Sequence, residues 1–338
     1  MAKSFNVAVV GATGIVGSEL LKILPQRSFP LGSLRLIASP RSAGKKIPFG
    51  EQEIEVEPLN HDCFRGADIV FNAIPDEVSR EYSPSAVKAG AMVIDKTGAW
   101  RMDPNVPLVV PEINAEDVGW HKGIIATPNC ATTPVVMALW PVHRVNPVKR
   151  VVVATYQSVS GTGGPAVEEL NHMAREVLDG EPAQPKVYPH QIAFNLIPEI
   201  GSWKDEGYTS EEMKMVNETR KIMHAPSVAI TATCVRVPVF VSHSAAVFAE
   251  FERPISADEV SALLRESPGV TVQDDPKGSL YPQPWDATGK DDVFVGRIRR
   301  DISCENGIAF WTVSDNLRKG AALNAVQIAE TLIERHLI

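Results

Sequence analysis

An α/β chain of two domains is what the sequence predicts, and three observations predict it. Phe5–Val10 is a short, nearly continuous apolar run that leads straight into Gly11-Ala12-Thr13-Gly14-Ile15-Val16-Gly17 and then into helical spacing at Val16, Leu20, Leu21 and Leu24. Strand-like and helix-like patterns alternate behind it, as in a doubly wound parallel sheet. Past Lys149 the pattern changes to longer strands separated by polar loops, so a second, sheet-rich domain follows. At 338 residues the chain is long enough for two cores.

The first run, buried on both faces, needs no polar alternation. Glycines at 11, 14 and 17 permit a tight turn and let the backbone approach a pyrophosphate at the helix start, with Thr13, Ile15 and Val16 lining the same loop. Strand, glycine loop and helix together make a Rossmann-type dinucleotide site, where a lone glycine motif makes only a turn. The second strand, Leu34–Ala38, ends in Ser39-Pro40-Arg41-Ser42-Ala43-Gly44-Lys45-Lys46. A carboxylate there would repel a 2′-phosphate, whereas Ser39, Arg41 and Ser42 suit one, so the expected cofactor is NADP rather than NAD. Lys45 and Lys46 read equally well as a solvated loop. Strand-like runs at Asp68–Ile74 and Ala91–Asp95 bracket a helix near Ser79–Lys88. Lys96-Thr97-Gly98-Ala99-Trp100-Arg101 then places an arginine at the carboxyl edge of the sheet, where ligands bind.

Cys130 follows the apolar run Ile124-Ile125-Ala126 and precedes a helix for which Thr133 is the expected N-cap, with Pro134 in its first turn. Unpaired N–H groups and the positive end of the helix dipole favour a thiolate there. Taken alone, a single cysteine is more readily a small buried core residue than a nucleophile. In the second domain, Arg150–Gln157 reads as a strand and Ser158–Gly164 as a glycine-rich turn into the helix Ala166–Leu178. A proline-rich loop covers Asp179–His190. A helix from Ser210, the expected N-cap, to about Met223 carries Glu211 and Lys214 on one face, in isolation an exposed stabilising pair. The strand Ile230–Val241 carries Arg236, which needs an anionic partner if buried. His243 has both structural and acid/base readings. Val293–Arg300 and Ile308–Val313 add strands, and Ala321–Leu337 is a closing helix with an apolar stripe.

Composition excludes several classes. Net charge is -8, so a polyanion is repelled and nucleic acid is not an expected partner. No apolar run reaches the ~20 residues of a membrane span, and the start lacks a signal peptide's apolar core. Four dispersed cysteines (63, 130, 234 and 304) form no CxxC pair, which argues against a metal site and a disulfide scaffold. The expectation is a cytoplasmic protein with reduced thiols and no metal.

The assembled segments resemble the aspartate-semialdehyde dehydrogenase family over essentially the whole chain. They include the GATGIVG loop, Ser39–Gly44, Pro128–Thr132, Tyr156–Gly161, Phe194–Pro198, the Glu211–Lys214 helix, Cys234–Pro238, His243-Ser244 and Asp286–Lys290. The resemblance implies the reversible, NADP-dependent interconversion of L-aspartate 4-semialdehyde plus phosphate with 4-phospho-L-aspartate, in aspartate-family amino-acid biosynthesis. It implies that Cys130 attacks the aldehyde, His243 acts as general acid/base, Gln157 orients the substrate and Asn129 polarises the reacting oxygen. Arg101 and Lys214 would hold phosphate, Arg236 the substrate carboxylate and Glu211 its ammonium, while Ser160, Gly161 and Asn316 would flank the nicotinamide.

It also implies an NADP-binding domain of residues 1–128 and 316–338, on which the C-terminal helix packs back. An α+β catalytic and dimerisation domain of residues 129–315 would form a homodimer or homotetramer. Two departures from the family pattern fall near the cofactor cleft: Lys96 in place of a small polar residue, and Asn72-Ala73-Ile74-Pro75 in place of a glycine-rich run. An N-acyl-glutamyl-phosphate reductase or a malonyl-CoA reductase would share the thiol chemistry but leave an ammonium-binding Glu211 unexplained. A non-catalytic dinucleotide-binding protein would have no use for the polar set. A cysteine hydrolase would leave the glycine loop idle.

Overall fold

A computed structural model describes residues 3–338. It divides into two compact units, one comprising the described residues up to Pro128 together with Ala321–Ile338, the other Asn129–Gly320. Residues 316–320, expected with the first domain, group with the second.

The first unit contains β1 (Phe5–Val10), α1 (Ile15–Gln26), β2 (Leu31–Ala38), β3 (Lys46–Phe49), β4 (Gln52–Pro58), β5 (Ile69–Asn72), α2 (Asp76–Lys88), β6 (Met92–Asp95), α3 (Pro111–Asn114) and β7 (Ile124–Ala126). Its sheet runs β3-β4-β2-β1-β5-β6-β7. β1 pairs in parallel with both β2 and β5, so the winding reverses beside it and the carboxyl end of β1 faces the crevice where doubly wound sheets take ligands. Val7–Val10 are buried, which is why their run shows no alternation. The antiparallel hairpin β3–β4 was not anticipated from sequence. Its glutamates and Pro48 suit an exposed edge and hide the apolar pattern.

The second unit contains α4 (Thr132–His143), β8 (Val148–Gln157), α5 (Gly164–Leu178), α6 (Ser210–Ile222), β9 (Ala229–Arg236), β10 (His243–Phe251), α7 (Ala257–Arg265), β11 (Val270–Val272), α8 (Pro284–Ala287), β12 (Val293–Arg300) and β13 (Gly307–Ser314). The sheet order is β11-β12-β13-β10-β8-β9, with mixed directions. Gln157 of β8 registers with Arg236 of the parallel β9, and His243 opens β10 opposite Ser314 of β13. Register alone therefore brings Gln157, Arg236 and His243 to one end of the sheet. β9 stops at Arg236 rather than running to Val241, because Pro238 has no N–H for a ladder. α5 is held by Leu170 and Met173 against Val159, Ile192, Ala193 and Ile197. Full burial of such a side chain contributes about 1.5–3 kcal/mol.

A π-helical turn at Arg318–Ala322 delays the regular C-terminal helix, α9 (Leu323–Glu334), past its expected start at Ala321. α9 packs on α1 and β6 of the first unit, and Asn324 Nδ2 donates to the Val109 carbonyl at 2.9 Å. Among the described residues no helix is long and apolar enough to cross a membrane.

Candidate active site

In the first unit the glycine loop is built for close approach. Gly11 has φ +86°, and a Cβ there would stand 2.2 Å from the Ala73 carbonyl oxygen; a Cβ on Gly17 would stand 2.2 Å from the Gly11 oxygen. The loop is thus drawn tight against β5 and α1. Gly14 caps α1 with no side-chain hydrogen bond, so the first N–H groups of the helix remain for an anion. Thr13 Oγ1 lies 3.5 Å from Ser42 Oγ, which sets the loop beside the 3-10 turn Pro40–Ser42 that carries the exposed Arg41. Ser39, Arg41 and Ser42 sit where β2 ends, and Ile15 and Val16 begin α1. These residues fit a dinucleotide with a 2′-phosphate: tight backbone for the pyrophosphate, a guanidinium and hydroxyls for the extra charge.

The two sequence departures meet within this unit. The Lys96 N–H donates to the Asn72 carbonyl at 3.0 Å, and the Lys96 carbonyl accepts from Arg101 Nη2 at 2.6 Å. Buried Asp95 anchors the segment, accepting from the Thr97 N–H at 2.7 Å and from Asn72 Nδ2 at 3.1 Å. Trp100 Nε1 donates to Ser79 Oγ at 2.8 Å. Arg101 is buried, held in place through Lys96.

In the second unit Cys130 Sγ stands 3.4 Å from His243 Nε2. The helix after Cys130 begins at Thr132, with Ala131 rather than Thr133 at its cap position, and Asn129 takes up the leading N–H groups. Asn129 Oδ1 accepts from the N–H of Ala131 at 2.8 Å and of Thr132 at 3.3 Å, and its carbonyl accepts from the Thr132 and Thr133 N–H groups. Asn fits because its amide oxygen stands in for the missing turn of helix. Of the two Nδ2 protons, one goes to Glu211 Oε1 at 2.8 Å. Gln157 Nε2 donates to the same oxygen at 3.0 Å, while Gln157 Oε1 accepts from Thr155 Oγ1 at 3.0 Å. Lys214 Nζ donates to Glu211 Oε2 at 3.1 Å.

Glu211 is therefore no exposed stabilising partner; it is 6% exposed. Burial pushes its pKa up, but Lys214 and the amides of Asn129 and Gln157 overcome this and bring it down to about 2. Thr209, one residue before the expected Ser210, caps α6 in a reciprocal box with Glu212.

Arg236 is 5% exposed, and Nη1 donates to the Ser158 carbonyl at 2.6 Å. Its Nε has no partner, an unmet donor on a buried cation. Burial and Arg236 together depress the pKa of His243 to about 3, against an opposing pull from Glu211, so the ring is neutral at ordinary pH. His243 follows Ser242, which has φ +76°, a strained conformation for a non-glycine residue. The strain is held by the Ser242 N–H donating to Asn316 Oδ1 at 2.8 Å and by the Ser242–Thr288 hydroxyl pair at 2.9 Å. Asn316 Nδ2 donates to Ser160 Oγ at 2.9 Å. Asn316 and Ser160 thus form one buried network, and Gly161 lies beside them. A Cβ on Gly161 would stand 3.1 Å from both Arg236 Nη1 and His243 Nε2, so only glycine keeps this space clear.

Sequence reading missed Glu218. Its buried carboxylate accepts the Asn129 N–H at 2.6 Å, tying α6 to the cysteine loop. The signal was present: Glu218 lies seven residues after Glu211, two turns along the same face. Ser158, whose N–H donates to His243 Nδ1 at 3.0 Å, was also missed, being read only as turn.

A doubly wound nucleotide-type unit, joined in one chain to a mixed-sheet unit carrying a cysteine–histidine pair with buried charges, is the build of a dinucleotide-dependent oxidoreductase that works through a thiol. Residues 6–121 match the family model for the semialdehyde dehydrogenase NAD binding domain, and residues 139–319 that for the semialdehyde dehydrogenase dimerisation domain. The chain is 49% identical to an aspartate-semialdehyde dehydrogenase of Bacillus subtilis (strain 168), with 100% of each covered. A crystal structure of Vibrio cholerae aspartate semialdehyde dehydrogenase II complexed with ASA superposes with a TM-score of 0.96 at 43% identity, over 98% of this chain and 99% of that one. The Candida albicans aspartate semialdehyde dehydrogenase structure with NADP gives a TM-score of 0.78 at 26% identity, over 99% of this chain and 100% of that one. The chain belongs to the aspartate-semialdehyde dehydrogenase family.

Proposed function

We propose that this chain converts L-aspartate 4-semialdehyde, phosphate and NADP reversibly to 4-phospho-L-aspartate and NADPH, through a thioester on Cys130, as a step in aspartate-family amino-acid biosynthesis. The observation that carries the reading is the charge pair beside the nucleophile. Arg236, buried with an unmet Nε donor, suits a carboxylate, and Glu211, buried and ionised, suits an ammonium. A small amino acid with a reactive aldehyde presents both. An N-acylated substrate would have no use for Glu211.

Cys130 supplies the sulfur that adds to the aldehyde carbon, and after oxidation the resulting thioester is displaced by phosphate, which frees the thiolate again. Asn129 and Gln157 orient the reacting end, and His243 attends the sulfur and the carbonyl oxygen. Lys214 and Arg101 are assigned to phosphate by the family resemblance, as Ser160, Gly161 and Asn316 are to the nicotinamide end. Bound NADP supplies the acceptor for the hydride.

The second unit is proposed to form a homodimer, whose further pairing would give a tetramer. Support comes from the exposed sheet face, where Tyr156 and Phe248 are partly open and Tyr156 packs on Trp311 with ring centroids 5.3 Å apart. A reducing cytoplasm suits a chain with four free thiols. Neither nucleic acid nor membrane enters the reading.

The test is a substrate panel of aspartate, N-acetylglutamate and malonate semialdehydes, each with and without phosphate. NADPH should form with the first alone, in the presence of phosphate, and Cys130→Ala should abolish it while NADP binding persists. Comparable rates on malonate semialdehyde, or wild-type turnover by Cys130→Ala, would overturn the reading.

A further inference from the structure

The stretch that follows α5 carries Pro182, Pro185 and Pro189, and the reaction proposed above gives it no task. Proline has no N–H for a helix or a ladder, so such a stretch must be fixed by other groups or move. Here one carboxylate fixes it. Lys186, Val187 and Tyr188 lie between two of the prolines, and the main-chain N–H groups of all three donate to Glu169 of α5. Oε2 accepts from Lys186 at 2.7 Å and from Val187 at 2.6 Å, and Oε1 accepts from Tyr188 at 3.4 Å. Bonds to an ionised acceptor are the strong ones. Packing does little of this work, since a cleft of about 560 Å³, lined by Pro165, His172, Pro182 and Lys186 among others, separates this part of the stretch from α5.

The clamp brings Tyr188 to a defined place. Its hydroxyl donates to Thr162 Oγ1 at 2.9 Å, and its ring packs against the cluster that contains Val159, Ile192 and Ile197. Burial pushes the pKa of the phenol up, against a pull from Arg236, so the hydroxyl keeps its proton and remains a donor. Thr162 ends the turn Val159–Gly161, in which Gly161 leaves the space beside Arg236 Nη1 clear. Farther along, the chain closes on Arg236 itself. The Ile197 N–H donates to the Arg236 carbonyl at 3.0 Å, and the Arg236 N–H donates to the Ile197 carbonyl at 2.9 Å. A single segment therefore starts from a carboxylate on α5, crosses the turn at Thr162 and ends on the main chain of Arg236.

We propose that Glu169 is a positioning residue for the substrate carboxylate, holding residues 182–197 as a strap that keeps the Arg236 subsite formed before substrate arrives. The role rests on the reading above, in which Arg236 takes that carboxylate. Glu169 acts through Tyr188 and Thr162 rather than by contact with substrate. A preformed subsite spares binding the cost of ordering the strap, so loss of the clamp falls on affinity for the aldehyde substrate and not on the chemical step.

Three variants of the whole chain test it. Glu169→Ala should raise KM for aspartate semialdehyde about tenfold, with kcat and KM for NADP within about twofold of wild type. Glu169→Gln keeps the reach and one acceptor oxygen for the two short bonds, and should stay within about threefold of wild type in that KM. Glu169→Asp keeps the charge but falls a methylene short, and should approach the alanine variant. A wild-type KM in Glu169→Ala, a fall in kcat with every KM raised alike, or an aspartate variant that outperforms the glutamine one overturns the proposal. Amide hydrogen exchange without substrate gives a separate reading. Lys186, Val187 and Tyr188 should be protected in the wild type and exchange at least about tenfold faster in Glu169→Ala; equal rates overturn the clamp. No aldehyde enters this measurement, so failure of the substrate panel and failure of this proposal remain distinguishable.

Discussion

Arg41 shows how one side chain sets a preference that the fold leaves open. The glycine loop accepts either dinucleotide through backbone geometry, and Gly11 and Gly17 do not distinguish NADP from NAD. The exposed guanidinium at the end of β2, with Ser42 linked to Thr13, is where the extra phosphate would be read. A charge-assisted hydrogen bond of this type contributes about 1.5–3 kcal/mol. Arg41→Ala should therefore weaken NADP binding by about 10- to 100-fold and leave NAD binding nearly unchanged. Titration of the variant with both nucleotides checks this, and equal losses would show that Arg41 does not read the 2′-phosphate.

At the level of elements, α6 does the organising. Glu211, Lys214, Met215 and Glu218 share its inward face, and through them one helix holds the acid proposed to meet the substrate ammonium, its counter-cation and the loop that carries Cys130. Glu218→Ala would leave the buried Asn129 N–H unsatisfied, a cost of about 1–3 kcal/mol, and should lower kcat more than it raises KM. Glu218→Gln, which keeps an acceptor oxygen, should recover most of the loss; if it does not, Glu218 serves some other purpose than holding that N–H.

Much of this architecture was legible in the sequence. β1 and the glycine loop stood out because a strand buried on both faces and a turn needing close approach leave strong compositional traces. β10 left almost none, since His243-Ser244-Ala245-Ala246 is poor in β-branched residues and becomes a strand only through partners on both sides. Both helix starts moved from the expected cap because a neighbouring Asn or Thr competed for the role. The contact between Ser158 and His243 was illegible, because it depends on a main-chain N–H that no side-chain identity reports.

For the molecule as a whole, acid is the expected weakness. His243 is depressed to about 3 in the folded chain, whereas an unfolded histidine takes its proton near about 6.5. Across that window the unfolded state binds more protons, so stability falls as pH falls. His121 and His143, also lowered by burial, add in the same sense. Glu211, held at about 2, adds stability that is full above the unfolded carboxylate's range and is lost as pH drops toward 2. Urea midpoints should decline steadily from neutral pH into the acid range, and His243→Gln should flatten the first part of the slope; an unchanged slope would remove His243 from the account.

The placement of α9 has a different consequence, for synthesis. The first unit's sheet leaves the ribosome early, yet the helix that covers part of it lies downstream of the whole second unit, which is contiguous from Asn129 to Gly320. The order of completion thus inverts the order of translation: the later-made unit can close while the earlier one still waits for its final helix, with apolar surface of α1 and β6 uncovered in the meantime.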